Sequence, residues 1–346
     1  MNRTIDISSG TIFRTIIILL FIWLLFFVRD IILLVFVSII IVSAIDPIVD
    51  LLQKKKMPRA LSVFIIYIIS LSIIGAVISL LIPPIVTEVK GLGENLPILI
   101  EKFTGYFKVV SDFAAANNLQ KNVSDLTSNF SVRLSQAGGD LFSGTVSFLG
   151  GIFNFLIVLS IAFYLTVQES GSKKFFASLL PKDHQEYALD LVARIQYKMG
   201  RWLQGQLLLM FIVFLIDYLG LLAIGAPYAL VLALIAGLLE IIPYIGPIVS
   251  AVIATAISLL HGPITGLLVL LLFTLTQQLE GYVITPQVMK KAVGLNPVVV
   301  IVALLIGAKL AGVLGVIVSV PVATAIGEII NDLTSSKEAK LAEKSA

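Results

Sequence analysis

Two apolar segments of more than thirty residues, 228–260 and 298–330, are each interrupted by proline and glycine, and both carry the same ten-residue stretch. It reads IVSAVIATAI over Ile248 to Ile257 and IVSVPVATAI over Ile317 to Ile326, with seven identities at a spacing of sixty-nine residues. A glycine stands two residues upstream of each copy, Gly246 and Gly315. A straight helix of that length would reach ~50 Å against a hydrocarbon thickness of ~30 Å, so each segment must tilt steeply, kink or turn back. Pro243, Gly246 and Pro247 loosen the first segment, as Gly312, Gly315 and Pro321 do the second, by removing amide donors or relaxing backbone restriction. A re-entrant hairpin of two half-helices is the preferred reading. Its rival lets each segment cross completely, giving eight spans. Duplicated, broken membrane helices point to a transporter's binding site. Chance similarity between two Ala/Val/Ile-rich stretches is the alternative, and the shared Ser and Thr positions argue against it.

Composition sets the class. At 58% hydrophobic and 13% charged residues, with a mean hydropathy of +1.04, the chain has more apolar surface than one soluble core of this length can hide. The expected fold is an all-α polytopic membrane protein, because runs of eighteen or more apolar residues suit spanning helices and a barrel would show shorter alternating segments. With no cysteine, disulfides, thiolate metal sites and a cysteine nucleophile are excluded. The apolar run after Arg3 and Arg14 resembles a signal peptide without a cleavage site and reads as a retained span.

Candidate spans are Thr11 to Val28, Ile31 to Leu52, Leu61 to Ile82, Thr145 to Val167, Leu203 to Ile224 and Ile264 to Val283, besides the two broken segments. Lys54, Lys55, Lys56 and Arg59 crowd one connection, and Lys173, Lys174, Lys182, Arg194, Lys198 and Arg201 fill 168–201. The positive-inside rule makes both cytoplasmic, with both termini. The 83–147 loop carries five basic residues against six acidic ones and belongs outside. In it, Leu99, Phe103, Phe107, Val110 and Phe113 form one amphipathic stripe, and Leu119, Val123, Leu126, Phe130 and Leu134 another, before a break at Gly138-Gly139. The organisation expected is three N-terminal spans (1–82), the outer helical loop (83–147), a fourth span and basic loop (148–202), a duplicated transport unit (203–330) and a cytoplasmic tail (331–346). Inside the unit, span plus hairpin occurs twice with opposite orientation, the arrangement that delivers Lys290 and Lys291 to the cytoplasm.

Ionisable groups within apolar segments cost roughly 2.5 to 3.5 kcal/mol each and are seldom kept without a partner or water. Glu240, just before the first break, is the leading candidate for substrate or proton contact; pairing with Lys309 across the repeat, or capping a half-helix, is the plainer account. Glu280, beside Gln277 and Gln278 on the last unbroken span, is a second candidate, against a polar packing face. Asp217, well inside the fifth span, suits a proton or cation. Ser250, Thr255, Ser319 and Thr324 fall at equivalent repeat positions and, with Gln277 and Gln278, supply what a neutral polyol needs. Hydroxyls also pack membrane helices. His184 and His261 lack a ligand companion at useful spacing, so no metal site is assigned and no cofactor is expected.

Glu240-Ile-Ile-Pro243-Tyr-Ile-Gly246-Pro247, Gln277-Gln278-Leu-Glu280 with Pro286, and Leu295-Asn296-Pro297 with Gly307, Gly312, Gly315 and Pro321 together resemble the signature of the autoinducer-2 exporter family of bacterial transporters. The resemblance covers nearly the whole chain, and it adds Pro286 and Pro297 to the expected breaks. It implies a bacterial inner-membrane secondary transporter exporting a small polar molecule such as autoinducer-2. Other relatives are described as sodium/proton antiporters, which is the alternative. Together with the striped outer loop it points to a homo-oligomer, expected as a pentameric ring in the lipid bilayer. Nucleic acid is not expected as a partner.

No GxSxG elbow, HExxH pair or phosphate-binding Gly-rich loop occurs, so hydrolytic, zinc and ATP-driven chemistry lack their residues and no enzyme is expected. A membrane scaffold acting through the outer helices is the reading from another class. It gives no reason for duplicated broken helices with buried carboxylates.

Overall fold

The computed structural model describes residues 9–116, 154–168, 182–289 and 296–345, and these are helical almost throughout. Helix α1 is Ser9–Phe27, α2 Arg29–Lys54, α3 Arg59–Ala116 and α4 Asn154–Val167. They are followed by α5 Lys182–Ile224, α6 Ala229–Leu239, α7 Ile245–His261 and α8 Pro263–Leu279. A π-helical turn, Glu280–Ile284, leads into α9 Thr285–Met289, and α10 covers Pro297–Ser345. Five helical stretches, 29–54, 59–88, 185–224, 263–289 and 297–334, are long and apolar enough to cross a membrane. The chain is an all-α polytopic membrane protein.

Helix α5 is the spine. Its first half packs with α2, α9 and α10 around Met199 and Trp202, and its second half with α6 and α8 around Val213 and Leu221. A third cluster, built on Val42, Val49, Val63, Tyr67 and Ala162, joins α2, α3 and α4. Arg59 ties this bundle at one end, donating to Asp46 at 2.8 Å, Gln53 at 3.1 Å and the Thr166 carbonyl at 2.7 Å.

Both broken segments fold back on themselves. In the first, α6 has eleven residues and α7 seventeen, ~17 and ~26 Å, each short of the hydrocarbon thickness. The chain reverses so tightly between them that a Cβ on Gly246 would sit 1.9 Å from the Leu239 carbonyl oxygen. Tyr244, at φ +66°, takes the turn. In the second, helical geometry lapses at Ala311 and Gly312, and Gly312 has φ +58°, which glycine adopts freely. A Cβ on Gly315 would meet the Gly307 carbonyl oxygen at 2.0 Å, although eight residues along a straight helix cover ~12 Å. The glycines two residues upstream of the repeated stretch thus do the same work twice, each letting one limb lie on the backbone of the other.

Several expectations change. Pro321 does not break its helix: it is buried within a continuous limb, and the reversal falls at Gly312 instead. Pro247 occupies the first turn of α7 and Pro297 the first position of α10, where no intrahelical partner is lost; both start helices. Pro286 lies inside α9, and the π-helical turn before it absorbs the distortion. Pro83 and Pro84 lie inside α3, so the helix runs straight through the expected boundary at residue 82 and carries the Leu99 to Phe113 stripe with it. Likewise 182–201 is no loop but the first half of α5. The Leu119 to Leu134 stripe, Gly138-Gly139, Lys173, Lys174, Lys290, Lys291 and Leu295 lie outside the described residues. Arg194 and Lys198 pair with Asp332 and Glu328, fastening α5 to the end of the second hairpin.

Candidate functional site

Trp202, Gln206, Leu209, Val213 and Asp217 recur every three or four residues along α5 and so share one face. Opposite it stand the first hairpin's tip, with Glu240, Pro243, Tyr244, Pro247 and Ser250, and the end of α8, with Phe273, Thr276, Gln277 and Glu280. Val300 and Val320 bring in the second hairpin, and Ile242 from the first hairpin's turn packs on the cluster that contains them. The breaks of one repeat and the limbs of the other therefore meet around a common space.

That space has two compartments. The larger, about 260 Å3, is lined by Trp202, Gln206, Glu240, Tyr244, Gln277, Glu280, Thr285 and Met289, among others. The smaller, about 10 Å3, is close to the room one water-sized species needs. Its walls include Asp217, Glu240, Ser250, Thr276, Gln277 and Glu280. Glu240, Gln277 and Glu280 belong to both.

Each carboxylate is held differently. Asp217, 1% exposed, accepts the Thr276 hydroxyl at 2.8 Å. Glu280 accepts Gln277 Nε2 at 2.8 Å on one oxygen and the Thr285 hydroxyl at 2.9 Å on the other. The π-helical turn joins the same two residues through the backbone as well, the Thr285 N–H donating to the Glu280 carbonyl. Glu240 is 3% exposed, yet its Oε2 has no hydrogen-bond partner. The ionisable groups that share the smaller compartment with it are Glu280 and Asp217. Lys309, which the sixty-nine-residue offset places at the equivalent position of the second repeat, is exposed and makes no ion pair with it; the pairing envisaged from sequence is not formed. At the break itself the Glu240 backbone carbonyl accepts Gln206 Nε2 at 2.6 Å.

The remaining candidates fall elsewhere. Ser250 lines the small compartment while its hydroxyl bonds the Pro247 carbonyl at 3.0 Å. Ser319 and Thr324 turn onto the carbonyls of Gly315 and Val320, and Thr255 Oγ1 is buried without a partner; none of the three lines a compartment. Gln278 is exposed and lines neither. Trp202, Gln206, Tyr244, Thr276, Thr285 and Met289 were not singled out from sequence, although the α5 stripe carries a signal for the first two. Among the described residues no Lys, Arg or His lines either compartment. The arrangement can accept protons or bind cations, and it repels anions.

Comparison with known proteins agrees with this architecture. A relative from Bacillus subtilis (strain 168), named "Putative transport protein YrrI", is 29% identical over 304 residues, covering 85% of this chain and 84% of its own. A protein from Halobacillus andaensis named sodium-lithium/proton antiporter is 22% identical over 301 residues, 81% of this chain and 84% of its own. The model of the AI-2E family transporters matches residues 14–335. A match over nearly the whole length, on a chain built of apolar helices that gather three carboxylates, makes this protein a membrane transporter of the AI-2E family.

Proposed function

We propose that the protein is a secondary transporter in which Asp217, Glu240 and Glu280 bind a monovalent inorganic cation and protons in alternation. The observation that carries this reading is the unpartnered Glu240 Oε2, in a residue 3% exposed. Three carboxylates gathered without a basic side chain cannot all stay ionised and empty, because buried charge is costly unless compensated. Protons or a cation supply that compensation, and the smaller compartment suits a single ion. Because a carboxylate oxygen that holds a proton binds a cation poorly, the two exclude one another, and that exclusion makes an exchanger. Cytoplasmic termini, an inner-membrane location and assembly through the first four helices and the outer helical region belong to the same reading.

Export of a small polar solute such as autoinducer-2 is the second reading. The larger compartment favours it, since about 260 Å3 exceeds what an ion needs. Purified protein in liposomes with a trapped pH dye separates the two. Under the first reading a sodium or lithium gradient drives proton movement. Absence of such movement, together with flux of autoinducer-2, would replace it by the second.

A further inference from the structure

The larger compartment is furnished for a cation with donor groups. Gln206 spends an N–H on the Glu240 carbonyl and Gln277 spends one on Glu280, so each amide keeps its carbonyl oxygen as an acceptor. Glu240 Oε2 is unpartnered although the residue is almost wholly buried. Donors remain as well, in the indole N–H of Trp202, the hydroxyl of Tyr244 and the second amide N–H of Gln206 and of Gln277, the Thr285 hydroxyl being used on Glu280; what the lining lacks is a positive charge to set against Glu240 and Glu280. A neutral polyol would satisfy these hydrogen bonds but would leave the two carboxylates without a compensating charge. An anion would face two carboxylates. An ammonium or guanidinium offers several N–H groups and a positive charge, and the rings of Trp202 and Tyr244 favour cations over their faces.

We propose that the larger compartment binds a small organic cation bearing N–H donors, and that this ligand competes with the inorganic ion of the smaller compartment through the shared walls Glu240, Gln277 and Glu280. The inference rests on reading the carboxylates as ion-bearing. It adds a second substrate class and a rule for coupling: one cation enters as the other leaves.

Trp202 reports on the cavity directly. The chain has two tryptophans, and Trp23→Phe leaves Trp202 as the sole indole. Purified Trp23→Phe protein in detergent is titrated with ethylammonium, with guanidinium and with ribose as a neutral polyol, following Trp202 emission and, in parallel, heat by calorimetry so that a silent fluorophore does not hide binding. Saturable binding of ethylammonium or guanidinium is expected, with a midpoint that rises as sodium or lithium is added. Glu240→Gln should weaken it about thirtyfold or more, the loss a missing buried charge partner implies. Glu280→Gln serves as the second variant if the first fails to fold. Binding of ribose but not of ethylammonium, no binding of either cation by both methods, or binding indifferent to sodium would each overturn the proposal. The liposome assay keeps the two readings apart: cation-driven proton movement without ethylammonium binding sinks only this inference, and ethylammonium binding without such movement sinks only the exchange of inorganic ions.

Discussion

The side-chain amide of Gln206 donates to the backbone carbonyl of Glu240 at 2.6 Å, so the spine helix satisfies the carbonyl group that the first hairpin frees where α6 ends. Helix ends leave such carbonyls without partners, and in a membrane interior water does not replace them. The bond also fixes where the Glu240 side chain leaves the backbone.

Gln206→Leu should therefore destabilise the protein by about 1–3 kcal/mol, the cost of an orphaned buried acceptor, and lower transport by misplacing Glu240. Thermal unfolding in detergent, read beside flux in liposomes, checks both. A variant as stable and active as the parent would show that the bond positions nothing.

Backbone contact between the limbs makes a prediction for the glycines. Gly246→Ala and Gly315→Ala each drive a methyl group to about 2 Å from a carbonyl oxygen, a clash that neither limb can relieve without opening. Losses above about 3 kcal/mol are expected for each, whereas Gly75→Ala, inside α3 with nothing within 4 Å of the new atom, should cost nothing and gain about 0.5–1 kcal/mol from helix propensity. Fluorescence-detected thermal melts of the three variants decide it, and tolerance of alanine at both hairpin glycines would contradict the folded-back geometry.

How far the sequence foretold this arrangement follows from the kind of signal each residue gives. The repeat was legible because Gly246 and Gly315 keep the same contact in both copies, and a backbone touching a backbone leaves only one residue type. Glu240, Glu280 and Asp217 stood out because charge in an apolar run is costly. Trp202 is hidden by Arg194, Lys198 and Arg201: the charge map starts the fifth span at Leu203, but the helix begins well before it, and the stripe reaching Asp217 crosses that false boundary. Gln206 lies inside the expected span, where an uncharged amide gives a weaker signal than a carboxylate does. Pro321 misled because proline loses one hydrogen bond and need not reverse a chain, whereas Gly312 at positive φ does reverse it. Ser250 and Ser319 each bond a carbonyl of the preceding turn, as helical hydroxyls do; only Ser250 also reaches a compartment, a difference the matching letters do not carry.

Orientation in the membrane can be read from this cysteine-free chain. Single cysteines at His261 and at Lys290 should respond oppositely to an impermeant thiol reagent added outside, the first labelling and the second protected, as the charge distribution requires of two hairpins. The opposite pattern would favour complete crossings by both broken segments.

Glu240→Gln tests the central claim most directly. The amide keeps the volume, removes the charge and is less costly than an ion at that depth, so the protein should fold as well as the parent. In liposomes with an imposed sodium or lithium gradient, the account predicts that proton movement in this variant falls to the level of empty vesicles or loses its dependence on pH. Undiminished movement with the parent's pH dependence in Glu240→Gln, in Glu280→Gln and in the double variant would contradict it.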